Sequence, residues 1–469
     1  MDRLMVSVSG VRGTIGSTLT PAVASEFGSA FATMLRSSGG RQGESPAAAG
    51  KPLTVTLARD TRPSGAMLAH AVTAGLQACG AGVTDLGVVS TPGAALMTRL
   101  LKADGGVIIT ASHNPSQYNG LKFLQPTGTC ISAETAARLK EIWESRQFSW
   151  AAPDALGGEK REGRANGFHV DAVCAITDVT GVAARRFKVV LDAINGAGCV
   201  ESPMLLGRLG CETAVLNGEP TGRFAHAPEP IEENLAGLCA AVRKHRAAIG
   251  LALDPDADRL ALVDETGRFI GEEYTLALAV AMTLRKRKGK VAANLVTSRM
   301  IDDIAAKAGC QVVRAPTGEA NVVGAILREG CILGGEGNGG VIEPRVVLVR
   351  DSLVAMSAVL QLMAETGKTL SQLVADIPSY VMLKTKFPCP AEAVEPIVRK
   401  AREALAARPG ARLNDSDGLR VDLPEGWVCV RASNTEPIMR IIAEAASRPA
   451  AEKLVSDVRA IADGVLKAT

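Results

Sequence analysis

A chain of 469 residues holds about three or four domains at roughly 100–200 residues each. Its 52 Lys plus Arg against 49 Asp plus Glu leave a net charge of +3, too little for a surface built to neutralise a nucleic-acid backbone. A hydrophobic content of 47% excludes an acidic disordered chain, and 3% aromatic residues exclude base-stacking platforms and predict an aliphatic core.

The opening MDRLMVSVSG lacks the apolar stretch of a signal peptide. The longest apolar run, LALAVAM at 276–282, is too short to cross a bilayer, so a cytoplasmic protein is expected. The ten cysteines form no CxxC pair and read as small buried hydrophobes in a reducing compartment.

Three segments, beginning at Leu53, Phe187 and Gly289, share one order: β-branched strand, polar loop, amphipathic helix, glycine, strand. The glycines are Gly80, Gly210 and Gly309, each where a left-handed helix cap favours glycine. Strand–helix–strand units imply parallel pairing. The spacing of the stops is that of domains, so three similar α/β domains with mixed or parallel sheets are predicted. Residues 36–52 and 151–167 read as an exposed loop and a linker, with further boundaries near 261–271 and 376–380. Past the last boundary, a helix at 391–407, adjoining strands and a helix at 450–467 predict an α+β domain. The predicted domains are 1–155, 156–265, 266–376 and 377–469.

Five loops could carry chemistry. VSGVRGTIG at 8–16 sets Arg12 among glycines, so backbone and one cation could meet a ligand; alone it reads as a glycine-rich turn. In GGVIITASHNPSQYNGLKF at 105–123, Ser112, His113 and Asn114 follow a strand's carboxyl end, where open α/β sheets place ligands. Asn119-Gly120 predicts a tight hairpin that returns Lys122 to that end. The loop suits a nucleophile site or plain Asn-Pro turn chemistry. In LALDPDADRLALVDETG at 251–267, Asp254, Asp256 and Asp258 would repel one another without a cation, which points to Mg²⁺ or Ca²⁺ ahead of a merely solvated acidic turn. An EF-hand does not fit, because Arg259 occupies the position that needs glycine. ILGGEGNGGVIEP at 332–344 presents Glu336 and Asn338 between glycines and suits sugar hydroxyls, or is a tight turn. VCVRASNTEPIMRI at 428–441 gathers Arg431, Ser433, Asn434 and Thr435 into a candidate anion nest, or a polar hairpin.

Together the five loops, in this order, resemble the α-D-phosphohexomutase family: an SG-x-RG loop, a TASHNP serine loop, a D-x-D-x-DR metal loop, a GE-x-x-G sugar loop and an R-x-SNTEP phosphate loop. The resemblance spans positions 9–437. It implies four domains around a central cleft and interconversion of 6-phospho and 1-phospho sugars. Ser112 would carry a phosphoryl group, and a 1,6-bisphosphate would form and turn around. One Mg²⁺ per chain would be held by Ser112, Asp254, Asp256 and Asp258, with a hexose 1,6-bisphosphate as activator. Arg12, Lys122 and Arg259 would add positive charge; His113 and Lys122 are candidates for proton handling. Glu336 and Asn338 would read the sugar, and Arg431, Ser433, Asn434 and Thr435 would hold the non-reacting phosphate.

Two departures stand out. Many bacterial members carry a histidine where this chain has Gly340 and a serine where it has Asn338; Pro316 and Glu319 replace a histidine and lysine found in some members. These features resemble the archaeal-type branch, often assigned to phosphoglucosamine mutases, with phosphomannomutase or phosphoglucomutase as alternatives. Gly340 leaves room in the sugar loop, so relaxed discrimination at C2 is expected. Expected partners are small sugar phosphates, with no nucleic acid or membrane, in a monomer or homodimer. A binding protein without catalysis, or a metal-dependent phosphatase, are the rival readings; the intact Ser112 and acidic triad speak against the first.

Overall fold

The computed structural model describes residues 4–7, 10–37, 52–433 and 437–467. It divides into two compact units, Met1–Met282 with Asn338–Leu373, and Thr283–Gly337 with Val374–Thr469. Among the described residues, no helix is long and apolar enough to cross a membrane.

The first unit holds two sheets. One contains β1 (Met5–Ser7), β2 (Gly10–Thr14), β3 (Leu53–Arg59), β4 (Ala81–Val88), β5 (Gly105–Ile109), β6 (Tyr118–Leu124) and β7 (Glu159–Arg161), in the order β1-β2-β6-β5-β3-β4-β7. The other contains β8 (Lys188–Asp192), β9 (Glu212–Leu216), β10 (Ile249–Leu253) and β11 (Leu260–Asp264), in the order β11-β10-β8-β9. In the second unit, β12 (Val291–Asn294) runs parallel to both β13 (Val312–Ala315) and β14 (Leu333–Glu336). The chain then returns to the first unit through β15 (Gly340–Ile342).

One wiring recurs. β3 lies between parallel neighbours β4 and β5, as β8 lies between β9 and β10, and β12 between β13 and β14. In the first two sheets the next strand, β6 or β11, comes back antiparallel. Each middle strand feeds a helix, Gly65–Ala78, Gly198–Arg208 or Met300–Lys307. Soon after each helix a glycine turns left-handed: Gly80 at φ 73°, Gly210 at 67° and Gly309 at 70°. A side chain at such an angle is strained, which is why those glycines were legible as stops. All five positions of β5 and of β10 are buried, as expected of strands covered on both faces.

The second unit also carries an antiparallel sheet, β16 (Val381–Pro388), β17 (Arg412–Asn414), β18 (Leu419–Leu423), β19 (Gly426–Ala432) and β20 (Ile438–Ala445), ordered β16-β20-β19-β18-β17. Helices Ala391–Ala406 and Arg448–Leu466 pack an aliphatic core against one face, the α+β arrangement predicted. In the first sheet the scarce aromatics are concentrated instead. Phe27, Phe31 and Phe123 join Trp143, whose ring stacks on Phe27 at 4.6 Å.

Three local expectations are corrected. Arg36 and Ser37 end the helix Pro21–Ser37; of the expected 36–52 loop, 38–51 lie outside the described residues. The first sheet extends beyond residue 155, because β7 pairs in parallel with β4. Asn119-Gly120 is not a turn: both lie inside β6, which is bonded to β2 and β5. A Cβ on Gly120 would stand 2.5 Å from the Val11 carbonyl oxygen and 2.8 Å from that of Thr110. Glycine here serves close strand packing.

A buried ionic cluster ties three helices of the first unit. His169, on helix Ala165–Cys174, sits 3.1 Å from Glu201 through Nδ1 and 2.9 Å from Asp351 through Nε2, all fully buried. Asp351 also caps helix Ser352–Thr366, accepting from the Leu353 and Val354 N–H groups. Burial alone would depress the imidazole, but the Asp351 and Glu201 carboxylates outweigh it and push it up to about 10. A folded pKa above the unfolded value of ~6.5 gives stabilisation that is complete below ~6.5 and lost as pH rises towards 10. The thermal midpoint should therefore fall between pH 6.5 and 9.5, by the equivalent of a few kcal/mol on the order of the linkage term. His169→Gln should start lower and lack that component. An equal fall in the variant would assign the dependence to other groups.

Candidate active site

The serine, acidic and sugar loops occupy the same place in the recurring wiring. The serine loop joins β5 to β6, the acidic loop joins β10 to β11, and the glycine loop joins β14 to β15. Each lies at the carboxyl end of the third strand of its repeat, the end where such sheets bind ligands.

Ser112 adopts a left-handed backbone, φ 49°, and is buried. A non-glycine residue in this region is strained and persists only where its surroundings fix it. The fixing group is Arg62, fully buried in the loop after β3. Its Nη2 donates to the carbonyls of Ser112 (2.6 Å) and Asn114 (2.7 Å). Its Nη1 donates to those of Pro115 (2.9 Å) and Tyr118 (3.1 Å), and Nε pairs with Asp60 at 3.0 Å. The planar fork thus binds four carbonyls of one loop and one carboxylate. Arg12 Nη1 reaches Asn114 Oδ1 at 3.3 Å.

The serine hydroxyl donates to Asp254 Oδ2 at 3.0 Å and lies 3.4 Å from His113 Nδ1. Asp254, Asp256 and Asp258 are buried, and one ligand atom from each lies within 4.8 Å of the others. Burial first, then the Asp258 and Asp256 charges, push the Asp254 carboxyl well above the usual range. Its Oδ1 accepts the N–H groups of Asp258 and Arg259. Burial would raise Asp256 as well, but the Lys122 ammonium at 2.7 Å and the Thr91 hydroxyl at 2.7 Å hold it well below. The second oxygens of Asp256 and Asp258 are buried without a hydrogen-bond partner. Three convergent buried carboxylates, two of them with an oxygen that accepts no hydrogen bond, fit a hard divalent cation. Glu265, farther along the same segment, lies outside the triad's ligand set and accepts from the Ser371 N–H at 3.2 Å.

Lys122 is also 3.9 Å from Asp258, and Arg259 Nε lies 3.7 Å from its other oxygen. Burial, then Arg259, lowers His113 to about 3, so its imidazole is neutral at ordinary pH. Asn338 is at the same loop as Gly340, and its Oδ1 is buried without a partner. The room expected beside Gly340 is taken: a Cβ there would stand 2.2 Å from Arg350 Cδ. Arg350 Nη2 pairs with Asp258 Oδ2 at 2.7 Å.

In the second unit, Glu336 closes β14 buried, accepting from Asn294 Nδ2 at 2.8 Å and the Gly318 N–H at 3.3 Å. Arg431, near the end of β19, has Nε 2.9 Å from Asp417, which also accepts from the Thr317 N–H and hydroxyl. The Ser433 N–H donates to the Ile438 carbonyl at 2.9 Å. Asn434 and Thr435 lie outside the described residues.

Sequence reading missed Arg62, Thr91, Arg350 and Asp417. The doublet Asp60…Arg62 after a strand was a faint signal for the first. The others are single polar residues with a partner far away in sequence: Asp256 for Thr91, Asp258 for Arg350 and Thr317 for Asp417.

Sequence models of the phosphoglucomutase/phosphomannomutase family match alpha/beta/alpha domain I at residues 3–150, domain II at 168–267, domain III at 271–380 and the C-terminal domain at 386–461. The chain is 39% identical over 446 residues to a Thermococcus kodakarensis protein named phosphoglucomutase/phosphomannomutase, covering 95% of each. It is 37% identical over 448 residues to a Methanopyrus kandleri protein named probable phosphoglucosamine mutase, again covering 95% of each. The crystal structure of a phosphoglucomutase/phosphomannomutase family protein from Burkholderia thailandensis superposes with a TM-score of 0.85 at 28% identity, covering 98% of both chains. With all four domains matched in order, the chain belongs to the phosphoglucomutase/phosphomannomutase family and is a phosphohexomutase, an enzyme of the isomerase class.

Proposed function

We propose that this phosphohexomutase is a phosphoglucosamine mutase, interconverting glucosamine 6-phosphate and glucosamine 1-phosphate through a phosphoserine at Ser112 and a 1,6-bisphosphate. The observation that carries the mechanism is the Ser112 hydroxyl 3.0 Å from Asp254 inside the acidic triad. The glucosamine assignment is supported by relatives at 34–37% identity from Methanopyrus, Thermococcus and Pyrococcus named probable phosphoglucosamine mutase.

In the first half-reaction the Ser112 Oγ–P bond breaks as phosphorus bonds to the free sugar hydroxyl oxygen, which gives up its proton; in the second, the other sugar O–P bond breaks as phosphorus bonds back to Ser112 Oγ, and the sugar oxygen takes up a proton. The hydroxyl proton leaves late in such loose transfers, so positioning and charge neutralisation dominate. Asp254, Asp256, Asp258 and Ser112 would hold a Mg²⁺ ion, which when bound supplies Lewis-acid neutralisation of the phosphoryl oxygens. Arg62 fixes where Oγ points. Lys122 and Arg259 place positive charge beside the carboxylates, and Arg12 holds the loop at Asn114. His113, with its proton affinity so depressed, acts as a neutral partner of Oγ rather than as an acid. Glu336 and Asn338 would bind sugar hydroxyls; Arg431 and Ser433, with Asn434 and Thr435, would grip the phosphate that is not transferred.

That last role sets an expectation. Arg431→Ala should raise KM roughly 10- to 100-fold, from charge-assisted bonds worth about 1.5–3 kcal/mol, with a smaller change in kcat. An unaltered KM would move the phosphate site elsewhere.

The sugar is tested by kcat/KM on glucosamine, glucose and mannose phosphates, each primed with a hexose 1,6-bisphosphate. Glucosamine phosphate should lead. A clear preference for mannose or glucose phosphate would favour the activity named for the Thermococcus kodakarensis relative at 39% identity. The expectation of weak C2 discrimination loses its basis, since Arg350 fills the room at Gly340.

A further inference from the structure

We infer that Arg350 and Gly340 form a matched pair that holds Asp258, making Arg350 a positioning residue of the metal site. The inference rests on the reading that the acidic triad binds a divalent cation. Arg350 Nη2 lies 2.7 Å from Asp258 Oδ2. That contact engages one carboxylate oxygen and leaves the other, Oδ1, buried without a hydrogen bond, 3.7 Å from Arg259 Nε, on a residue of the candidate metal cluster.

The guanidinium reaches Asp258 only because residue 340 has no side chain. A Cβ there would meet Arg350 Cδ at 2.2 Å and Cγ at 2.7 Å, distances at which the arginine stem must move. The backbone that carries Arg350 is pinned by the two residues that follow it. The Asp351 N–H donates to the Val341 carbonyl at 2.8 Å, and the Asp351 carboxylate meets His169 at 2.9 Å. The Ser352 hydroxyl donates to the Ala257 carbonyl at 2.7 Å. The same corner therefore grips the acidic loop twice, by backbone at Ala257 and by side chain at Asp258. Ala257 itself is left-handed, φ 53°, a strained conformation that such contacts can maintain.

Two effects of Arg350 on a cation oppose each other. Its positive charge lowers the attraction of the triad, whereas its bond to Oδ2 orients Oδ1 as a ligand. Outer partners that orient metal ligands typically contribute roughly 10- to 100-fold in affinity, so orientation is expected to win.

The test is Mg²⁺ titration by calorimetry, repeated with Mn²⁺ by electron paramagnetic resonance, on the wild type, Arg350→Met, Gly340→Ala and the double variant. Each single change should weaken binding roughly 10- to 100-fold. The double variant should bind no more weakly than Arg350→Met, because the methyl added at position 340 then has no arginine stem to displace. Thermal midpoints should show the same pattern, with Gly340→Ala costly only when Arg350 is present. Unchanged or tighter Mg²⁺ binding by Arg350→Met would overturn the positioning role alone, as would additive losses in the double variant. Absence of Mg²⁺ binding in the wild type, or its persistence in Asp256→Asn, would overturn the metal reading and the positioning role with it.

Discussion

Ser112→Ala should lose mutase turnover by at least ~10⁴-fold, the scale on which removal of a covalent nucleophile is felt. Its hydroxyl is the group that would carry the phosphoryl between sugar positions, and no other hydroxyl is bonded to Asp254 among the described contacts. Stability should change by only about 1 kcal/mol, because one hydrogen bond to a buried acceptor is lost. Asp254 keeps its bonds from the Asp258 and Arg259 N–H groups through the other oxygen, so the acidic loop should hold its shape. Circular dichroism and the thermal midpoint would check the fold, and a coupled isomer assay the turnover. Near-normal turnover in a well-folded variant would rule out Ser112 as the phosphoryl carrier.

Arg62→Met should damage fold and activity together. The guanidinium is fully buried and makes five polar contacts, four of them to carbonyls of the serine loop. Methionine replaces only the aliphatic stem and leaves Asp60 as an unpaired charge in the core, a loss of about 3–5 kcal/mol. It also frees the left-handed turn at Ser112, and a misplacement of about 1 Å in a reacting group can cost ~10²-fold in rate. Arg62→Lys separates the two effects. An ammonium can pair with Asp60 but cannot bridge four carbonyls in one plane. The lysine variant should recover much of the stability while kcat stays at least ~10-fold down, since loop placement is still loose. Wild-type kcat in Arg62→Lys would show that the charge alone suffices.

The parts of this protein that were legible in the sequence are those whose signal is local. The three repeats showed because each strand, helix and capping glycine adjoins the next, and Gly80, Gly210 and Gly309 do turn left-handed. The acidic triad showed because three carboxylates within five residues imply a cation by their own repulsion. Asn119-Gly120 was misread because a hairpin signal is local while its cause here is tertiary: β6 is a central strand, and Gly120 admits two carbonyl oxygens from its neighbours. Arg62 was passed over for the same reason. Its partners are backbone carbonyls about fifty residues later, and a carbonyl has no sequence signature. Gly340 was seen, but its meaning was inverted, since only the fold reveals that Arg350 lies against it. Asp417 could not be anticipated, as Arg431 and Thr317 converge on it from two different domains of the second unit.

The most direct test of the account is to follow the phosphoryl group itself. Purified protein would be incubated with Mg²⁺ and a hexose 1,6-bisphosphate labelled in phosphorus, quenched, and mapped by peptide mass spectrometry. Label should appear on Ser112 and chase into sugar phosphate when unlabelled glucosamine 6-phosphate is added. Label on another residue, or its release as inorganic phosphate without a protein-bound stage, would contradict Ser112 as the carrier and the mutase mechanism built on it.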